Sequence, residues 1–381
     1  MFIAFLAVAL GLLCLACFML GWVMRGRRGG EPALAPSRSA QPDSAEKFLD
    51  RLRRSGLVEE SRLTSFLSEL REQEVTAARN DSDLLAKRLV EAKLITPWQS
   101  EKLLEGRHKG FYLGKYKLLG RLGARATSSV YLAEHVLMHR SVAIKVLPQS
   151  RSDDASYLAW FRREAMAAAE LDHRHTARIY DVDHDGKIHF AVMEYLVGRD
   201  LQSLVGAEGP LECYQAAKYI VQAAKALHHA HEAGVIHRNI KPANLLVNDQ
   251  GLVKVLDMGL GGVLDAKAMR AVPQDKDVLG LADYLSPEQL NGQAVDRRTD
   301  IYSLGCTLYF LLTGHPPFGK GSLSQRIRKQ QTAMPPAIRL ERSDVPRDLV
   351  RICNKMMGKT PAERYQTAAD VAGALGDLPH D

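Results

Sequence analysis

Hydrophobic and polar positions divide the chain into stretches of different texture. From Phe2 to Met24 the run FIAFLAVALGLLCLACFMLGWVM carries no charge. As a helix it spans about 34 Å, enough to cross a hydrocarbon core, so residues 1–24 are expected to form a transmembrane anchor. A cleaved signal peptide is the alternative, but the run lacks a basic start and exceeds the usual apolar region of such a peptide. Arg25, Arg27 and Arg28 follow immediately. By the positive-inside rule they place the bulk of the chain in the cytoplasm, as expected for a single-pass inner (plasma) membrane protein.

Residues 25–45 are rich in Pro, Gly, Ser and Ala without apolar periodicity and are predicted to be a flexible linker. Helical spacing returns between Phe48 and Leu104, which predicts a small all-α module over 46–108. Within it, FLDRLRRSGLVEESRLTSFL from Phe48 resembles LAKRLVEAKLITPWQSEKLL from Leu85. Arg51/Arg88, Leu52/Leu89, Leu57/Leu94 and Leu67/Leu104 coincide. Two packed helix-turn-helix units would explain this weak repeat, and chance likeness between amphipathic helices is the alternative. From Tyr116 short β-branched runs appear (KYKLLGRLG, SSVYLAEH, SVAIKVLP, KIHFAVMEY), and long helical segments follow Leu211. The fold class predicted for 116–378 is therefore α+β, with a small β-rich lobe before a large helical one.

Composition changes this picture little. The net charge is +7, but 51 basic residues are interspersed with 44 acidic ones and no long basic run occurs, which argues against nucleic acid as a partner. Five cysteines lie without the paired blocks of a zinc site, as in a reducing compartment. His228, His229 and His231 cluster on a predicted helix, where solvated or capping roles are commoner than metal ligation.

The candidate chemistry lies in an ordered set of motifs. VAIK (Val142 to Lys145) sets a lysine in an apolar β-run, and Glu164 in FRREA follows it. HRNIKPAN (His237 to Asn244), LDMGL around Asp257, YLSPEQ with Glu288, DIYSLG with Asp300 and PAERY with Arg364 come next. This set resembles eukaryotic-like, bacterial-type serine/threonine protein kinases across about two-thirds of the chain, with a bilobal fold implied. The resemblance implies ATP and Mg²⁺ as cofactors and an unidentified protein as substrate or partner. It implies that Lys145 holds the α- and β-phosphates and pairs with Glu164. Nucleotide-binding positions fall on Gly123, Val130, Ala143, Lys145, Glu164, Glu194, Leu196, Leu246 and Asp257, and catalytic-loop positions on Asn239, Lys241 and Asn244. Asn244 and Asp257 are the implied magnesium ligands. Asp300 should tie down the catalytic loop, Glu288 should pair with Arg364, and Met258 should pack against His237. Lys241 marks the serine/threonine class.

Three departures bear on activity. Asn239 stands where the family has a catalytic aspartate; its amide keeps an acceptor oxygen but has no basic one. The glycine-rich loop retains Gly123 but carries Arg125 and Ser128 at its other two glycine positions. Between Gly259 and Ser286 there is no Ser or Thr, Leu281 replaces the family's threonine, and Tyr284 lies at the rigid end. Arg238 therefore has no phosphoserine or phosphothreonine there to pair with. These features predict a pseudokinase or severely weakened kinase that still binds ATP.

Overall fold

In a computed structural model of the chain, the residues described are 44–69, 81–125, 128–148, 154–259, 280 and 282–378. The predicted anchor and nearly all of the linker lie outside them, as do Leu281, most of the activation segment and the side chains of Arg125 and Ser128. Among the described residues no helix is long and apolar enough to cross a membrane.

The chain separates into units at His108/Lys109. In the first, α1 (Ala45–Ser55), α2 (Glu60–Glu69), α3 (Ser82–Glu91) and α4 (Pro97–Leu104) form around Phe48, Leu52, Leu63, Leu85, Leu89 and Leu103, all at most 2 % exposed. Ser44 and Asp81 cap α1 and α3 through side-chain oxygens, and Thr96 with Gln99 forms a capping box on α4. Gly56 (φ 65°) and Lys93 (φ 55°) make left-handed turns at corresponding points of the two halves. A lysine tolerates that backbone poorly, at roughly 1–2 kcal/mol, so packing of the flanking helices holds Lys93 there.

In the second unit, β1 (Tyr112–Leu113), β2 (Tyr116–Arg125), β3 (Ser128–His135), β4 (Ser141–Val146), β5 (Ile179–Asp185) and β6 (Ile188–Glu194) form an antiparallel sheet in the order β1-β2-β3-β4-β6-β5. Helix α5 (Ala155–Ala169), capped by Asp154, packs against β5. Short strands β7 (Arg199–Asp200), β8 (Leu245–Val247) and β9 (Val253–Val255) make a second sheet beside α6 (Leu201–Glu208). The larger lobe is built on α7 (Cys213–Glu232) and α9 (Arg298–Thr313). Every residue of α9 from Thr299 to Leu312 is buried, as its nearly continuous apolar sequence requires. Around it lie α8 (Pro287–Asn291), α10 (Leu323–Thr332), α11 (Ile338–Glu341), α12 (Arg347–Met356) and α13 (Ala368–Gly376).

Candidate active site

Strand pairing assembles the nucleotide side of the cleft. Ala143 and Lys145 are two apart on β4 and share a face; β3 sets Val130 opposite Lys145, and β6 sets Met193 opposite Ala143. Lys145 is 12 % exposed at its side chain and its Nζ lies 3.0 Å from Asp257 Oδ2. Gly123 pairs with Val130 on the β2–β3 hairpin, Glu194 ends β6, Leu196 follows it half-buried, and Leu246 lies on β8.

Asp257 sits in a sharp turn with φ 58°. The preceding residue is held on both sides: Leu256 N–H donates to Asn244 O at 2.9 Å, and the Leu256 carbonyl accepts from His237 Nε2 at 2.8 Å. Gly259 finishes the turn at φ 69°, where a Cβ would meet Glu164 O at 3.3 Å. Met258 and His237 are both buried, at 2 % and 0 % exposed.

The expected Lys145–Glu164 pair is not formed. Lys145 is engaged by Asp257, and Glu164 Oε2 lies 3.7 Å from Arg238 Nη1. Arg238 (φ 63°) is part-buried, so its guanidinium needs a carboxylate or phosphate, and the sequence of 260–285 holds no Ser or Thr to carry one. Glu164 supplies that charge instead.

The catalytic loop hangs from Asp300, which is 0 % exposed. Its Oδ2 accepts the His237 N–H and lies 2.8 Å from His231 Nε2, and its Oδ1 accepts the Arg238 N–H at 2.7 Å. Burial alone would raise this carboxyl, but the His231 hydrogen bond and the neighbouring histidines hold it below the ordinary aspartate value. His231 is thus neither a solvated nor a capping histidine: it belongs to the anchor. His237 is held below the usual histidine value chiefly by burial. Its Nδ1 accepts the Asn239 N–H at 3.2 Å, which fixes the neutral tautomer with the proton on Nε2.

Asn244, fully buried, donates through Nδ2 to Asn239 O at 2.8 Å, while Lys241 precedes the short Pro242–Asn244 turn. Asn239 Oδ1 is buried and has no hydrogen-bond partner among the described residues. An acceptor in that condition is costly unless a ligand donates to it. Together with the oxygen-bearing Asn244 and Asp257 and the Lys145 cation, it fits a bound hydroxyl beside a magnesium-coordinated phosphate.

Below the loop, Arg364 forms a bidentate pair with Glu288 at 2.7 and 2.8 Å, and Thr299 Oγ1 donates to Glu288 at 2.7 Å. Both partners are buried. Other supporting residues carried no motif signal. Gln289 Nε2 donates to Arg238 O, Lys254 pairs with Glu194 at 2.8 Å, and Arg326 and Gln330 hold Asp283. Burial raises the Asp283 carboxyl to about 6 despite Arg326. Tyr284 is buried and its hydroxyl is pushed well above the usual tyrosine value.

A twisted antiparallel sheet with one supporting helix, set over a helical lobe that carries an aspartate-anchored loop, is the bilobal fold of protein kinases. Residues 116–373 match the protein kinase domain, and the chain belongs to that family, in its bacterial serine/threonine branch. It is 40 % identical over 269 residues to the serine/threonine-protein kinase PknB of Mycobacterium leprae (strain TN), covering 68 % of this chain and 42 % of that protein. It is 38 % identical over 259 residues to PrkC of Bacillus subtilis (strain 168), covering 68 % and 39 %. The crystal structure of the Mycobacterium tuberculosis PknI kinase domain is similar at a TM-score of 0.57 and 25 % identity, over 70 % of this chain and 98 % of that one. The chain thus spans less than half the length of the curated relatives it matches. Membership of the family implies use of ATP and a divalent metal.

Proposed function

We propose that this chain is a membrane-anchored protein whose kinase domain binds magnesium-ATP in the cytoplasm but transfers phosphate far more slowly than an ordinary kinase, and that it acts by binding. Asn239 carries this reading. Its amide oxygen can orient a substrate hydroxyl but cannot take up the proton at neutral pH. General base catalysis contributes about 10²–10⁴, so a kinase rate of about 1–100 s⁻¹ falls to about 10⁻⁴–1 s⁻¹ without it. The Lys145–Asp257 and Glu164–Arg238 pairs support the same reading, because both carboxylates are engaged away from their roles in transfer. When bound, magnesium-ATP supplies the transferable phosphoryl group and a cation that neutralises its developing charge. Lys145 would hold the phosphates, Asn244 and Asp257 the metal, and Val130, Ala143 and Leu246 would cover the base and exclude water. The anchor over 1–24, the linker over 25–45 and the helical module over 46–108 would hold this domain near the membrane.

The second reading is a working serine/threonine kinase that uses Asn239 for orientation alone. It is favoured by the 40 % identity to a relative named as a kinase. Thermal stabilisation by magnesium-ATP, measured beside radiolabel transfer to a generic basic substrate, separates the two. Stabilisation should survive in Asn239→Asp and fall in Lys145→Ala, while Asn239→Asp should restore transfer in part, and more when Arg125→Gly and Ser128→Gly are added. Ordinary turnover by the unaltered protein, above a Lys145→Ala control, would overturn the proposal in favour of the second reading.

A further inference from the structure

A cavity of about 420 Å³ opens on the larger lobe where α7 ends and α9 begins, lined in part by His231, Gly234, Asp296, Arg297, Arg298 and Gln366. None of its lining residues belongs to the nucleotide, metal or catalytic positions of the cleft. The local sequence makes the space. Gly234 ends α7 in a left-handed turn (φ 76°), its N–H donating to His231 O at 3.1 Å and the Val235 N–H to Ala230 O at 2.9 Å. A Cβ on Gly234 would meet nothing within 4 Å, so the turn leaves open space beside it.

His231 joins this cavity to the anchor of the catalytic loop. Its side chain is 1 % exposed, and its Nε2 lies 2.8 Å from Asp300 Oδ2; a carboxylate can only accept, so Nε2 carries the proton. In the neutral ring Nδ1 is then an acceptor, and it is buried with no hydrogen-bond partner among the described residues. Such an atom calls for a donor. The charged groups of the lining are unequally committed. Arg298 is matched, with Nη2 at 2.6 Å from Asp296 Oδ2 and Nη1 donating to Gln366 Oε1 at 3.0 Å. That pairing also neutralises Asp296, the carboxylate in the lining. Arg297 is held only by Glu232 at 3.8 Å, with the two side chains 45 % and 62 % exposed, a pair that water and salt largely screen. Its planar fork is therefore available to an anion.

We propose that this cavity binds a small phosphate-bearing metabolite, with Arg297 holding phosphate oxygens and a hydroxyl of the ligand donating to His231 Nδ1. Hydrogen phosphate offers an oxyanion and an O–H in one group, and the volume leaves room for the hydroxylated remainder of a phosphate monoester. A donor to Nδ1 polarises the ring and strengthens the Nε2–H bond to Asp300. Occupancy thus stiffens the anchor that holds the His237 and Arg238 N–H groups. The binding needs neither ATP nor phosphate transfer, so it stands or falls apart from the function proposed above.

The test follows melting of the full chain in detergent at about pH 8, without nucleotide or magnesium, in ribose 5-phosphate, inorganic phosphate, sulfate or ribose at matched ionic strength. Ribose 5-phosphate should raise the melting temperature saturably, by about 2–4 °C at about ten times its dissociation constant. Inorganic phosphate should do so too; equal potency assigns the site to free phosphate, and greater potency of the sugar phosphate assigns it to a monoester. Ribose and sulfate should have no effect, because the first lacks the charge and the second lacks an O–H. Arg297→Gln, an exposed change, should leave melting of the free protein unaltered and weaken the response at least about tenfold. Lys145→Ala should keep the response, which separates this cavity from the cleft. No saturable rise with either phosphate, an equal rise with sulfate, a response that survives Arg297→Gln, or one lost in Lys145→Ala would overturn the proposal.

Discussion

Two charge systems flank the catalytic loop, one buried and one half-buried, and they differ in kind. Beneath it, Asp300 and the Glu288–Arg364 pair are fully enclosed, each charge meets several donors or acceptors, and, His231 apart, the partners are those the motifs imply. Above it, Lys145 and Glu164 are each paired, but with Asp257 and Arg238 rather than with one another. The lower system joins segments locked within one helical core, so a single arrangement is available. The upper one joins a strand, a helix of the small lobe and a turn, and its four charges can be matched in more than one way. A frame that holds the loop in place can therefore persist while the groups that act on phosphate exchange partners.

The contrast can be tested where it is strongest. Arg364→Met should leave the Glu288 carboxylate buried with Thr299 Oγ1 as its remaining charge-facing donor, and should lower unfolding free energy by about 3–5 kcal/mol in urea titration. A loss under about 1 kcal/mol would show that the lower frame is no more rigid than the upper pairs.

A smaller effect is expected from pH. His173, His175 and His237 have pKa values below the ordinary histidine value, chiefly through burial. For each, the unfolded chain takes up the proton first as pH falls past about 6.5, so stability present above that pH is lost toward the depressed folded value. Asp283 acts in the opposite sense: its carboxyl is raised to about 6, so from there down to its unfolded value near about 3.9 the folded state binds the extra proton and gains. The urea midpoint should fall as pH drops from about 7.5 to about 6, and Asp283→Asn should steepen the fall below about pH 6. A midpoint that is flat over this range would contradict the buried neutral histidines.

Gly259→Ala tests the upper turn. A residue with φ 69° and a Cβ held 3.3 Å from the Glu164 carbonyl should destabilise the protein by about 1–3 kcal/mol. The mildest change is Glu164→Gln, which keeps an acceptor oxygen beside the part-exposed Arg238 guanidinium, loses only the charge of a loose 3.7 Å pair and should cost less than about 1 kcal/mol. A cost as large as that of Arg364→Met would mean the two systems are equally committed.

The sequence shows some of this directly. Alternation in KIHFAVMEY and SVAIKVLP marks β6 and β4, the nearly continuous apolar run after Asp300 marks the buried α9, and motif spacing locates Lys145, Asn239, Asn244, Asp257 and Asp300. The anchoring role of Asp300 and the Glu288–Arg364 pair could be stated from motif likeness alone. His231 could not be distinguished from its neighbours His228 and His229, because which of three histidines faces inward depends on the rotation of α7 about its axis. Gln289, Lys254, Arg326 and Gln330 act through long side chains that reach backbone carbonyls or distant carboxylates, and such contacts leave no periodic trace.

By itself, then, the sequence determines the two-lobed fold, the missing carboxylate at 239 and the absence of Ser and Thr from 260–285, because each is a matter of residue identity at a position. Tertiary structure alone decides that Lys145 meets Asp257, that Glu164 meets Arg238, and that Asn239 Oδ1 is left buried without a partner among the described residues. Ionic partners inside a cleft are chosen by distance in a medium of low polarity. Those distances follow from how α5 packs on the sheet and how the turn at Asp257 closes beneath it, and no spacing along the chain encodes either.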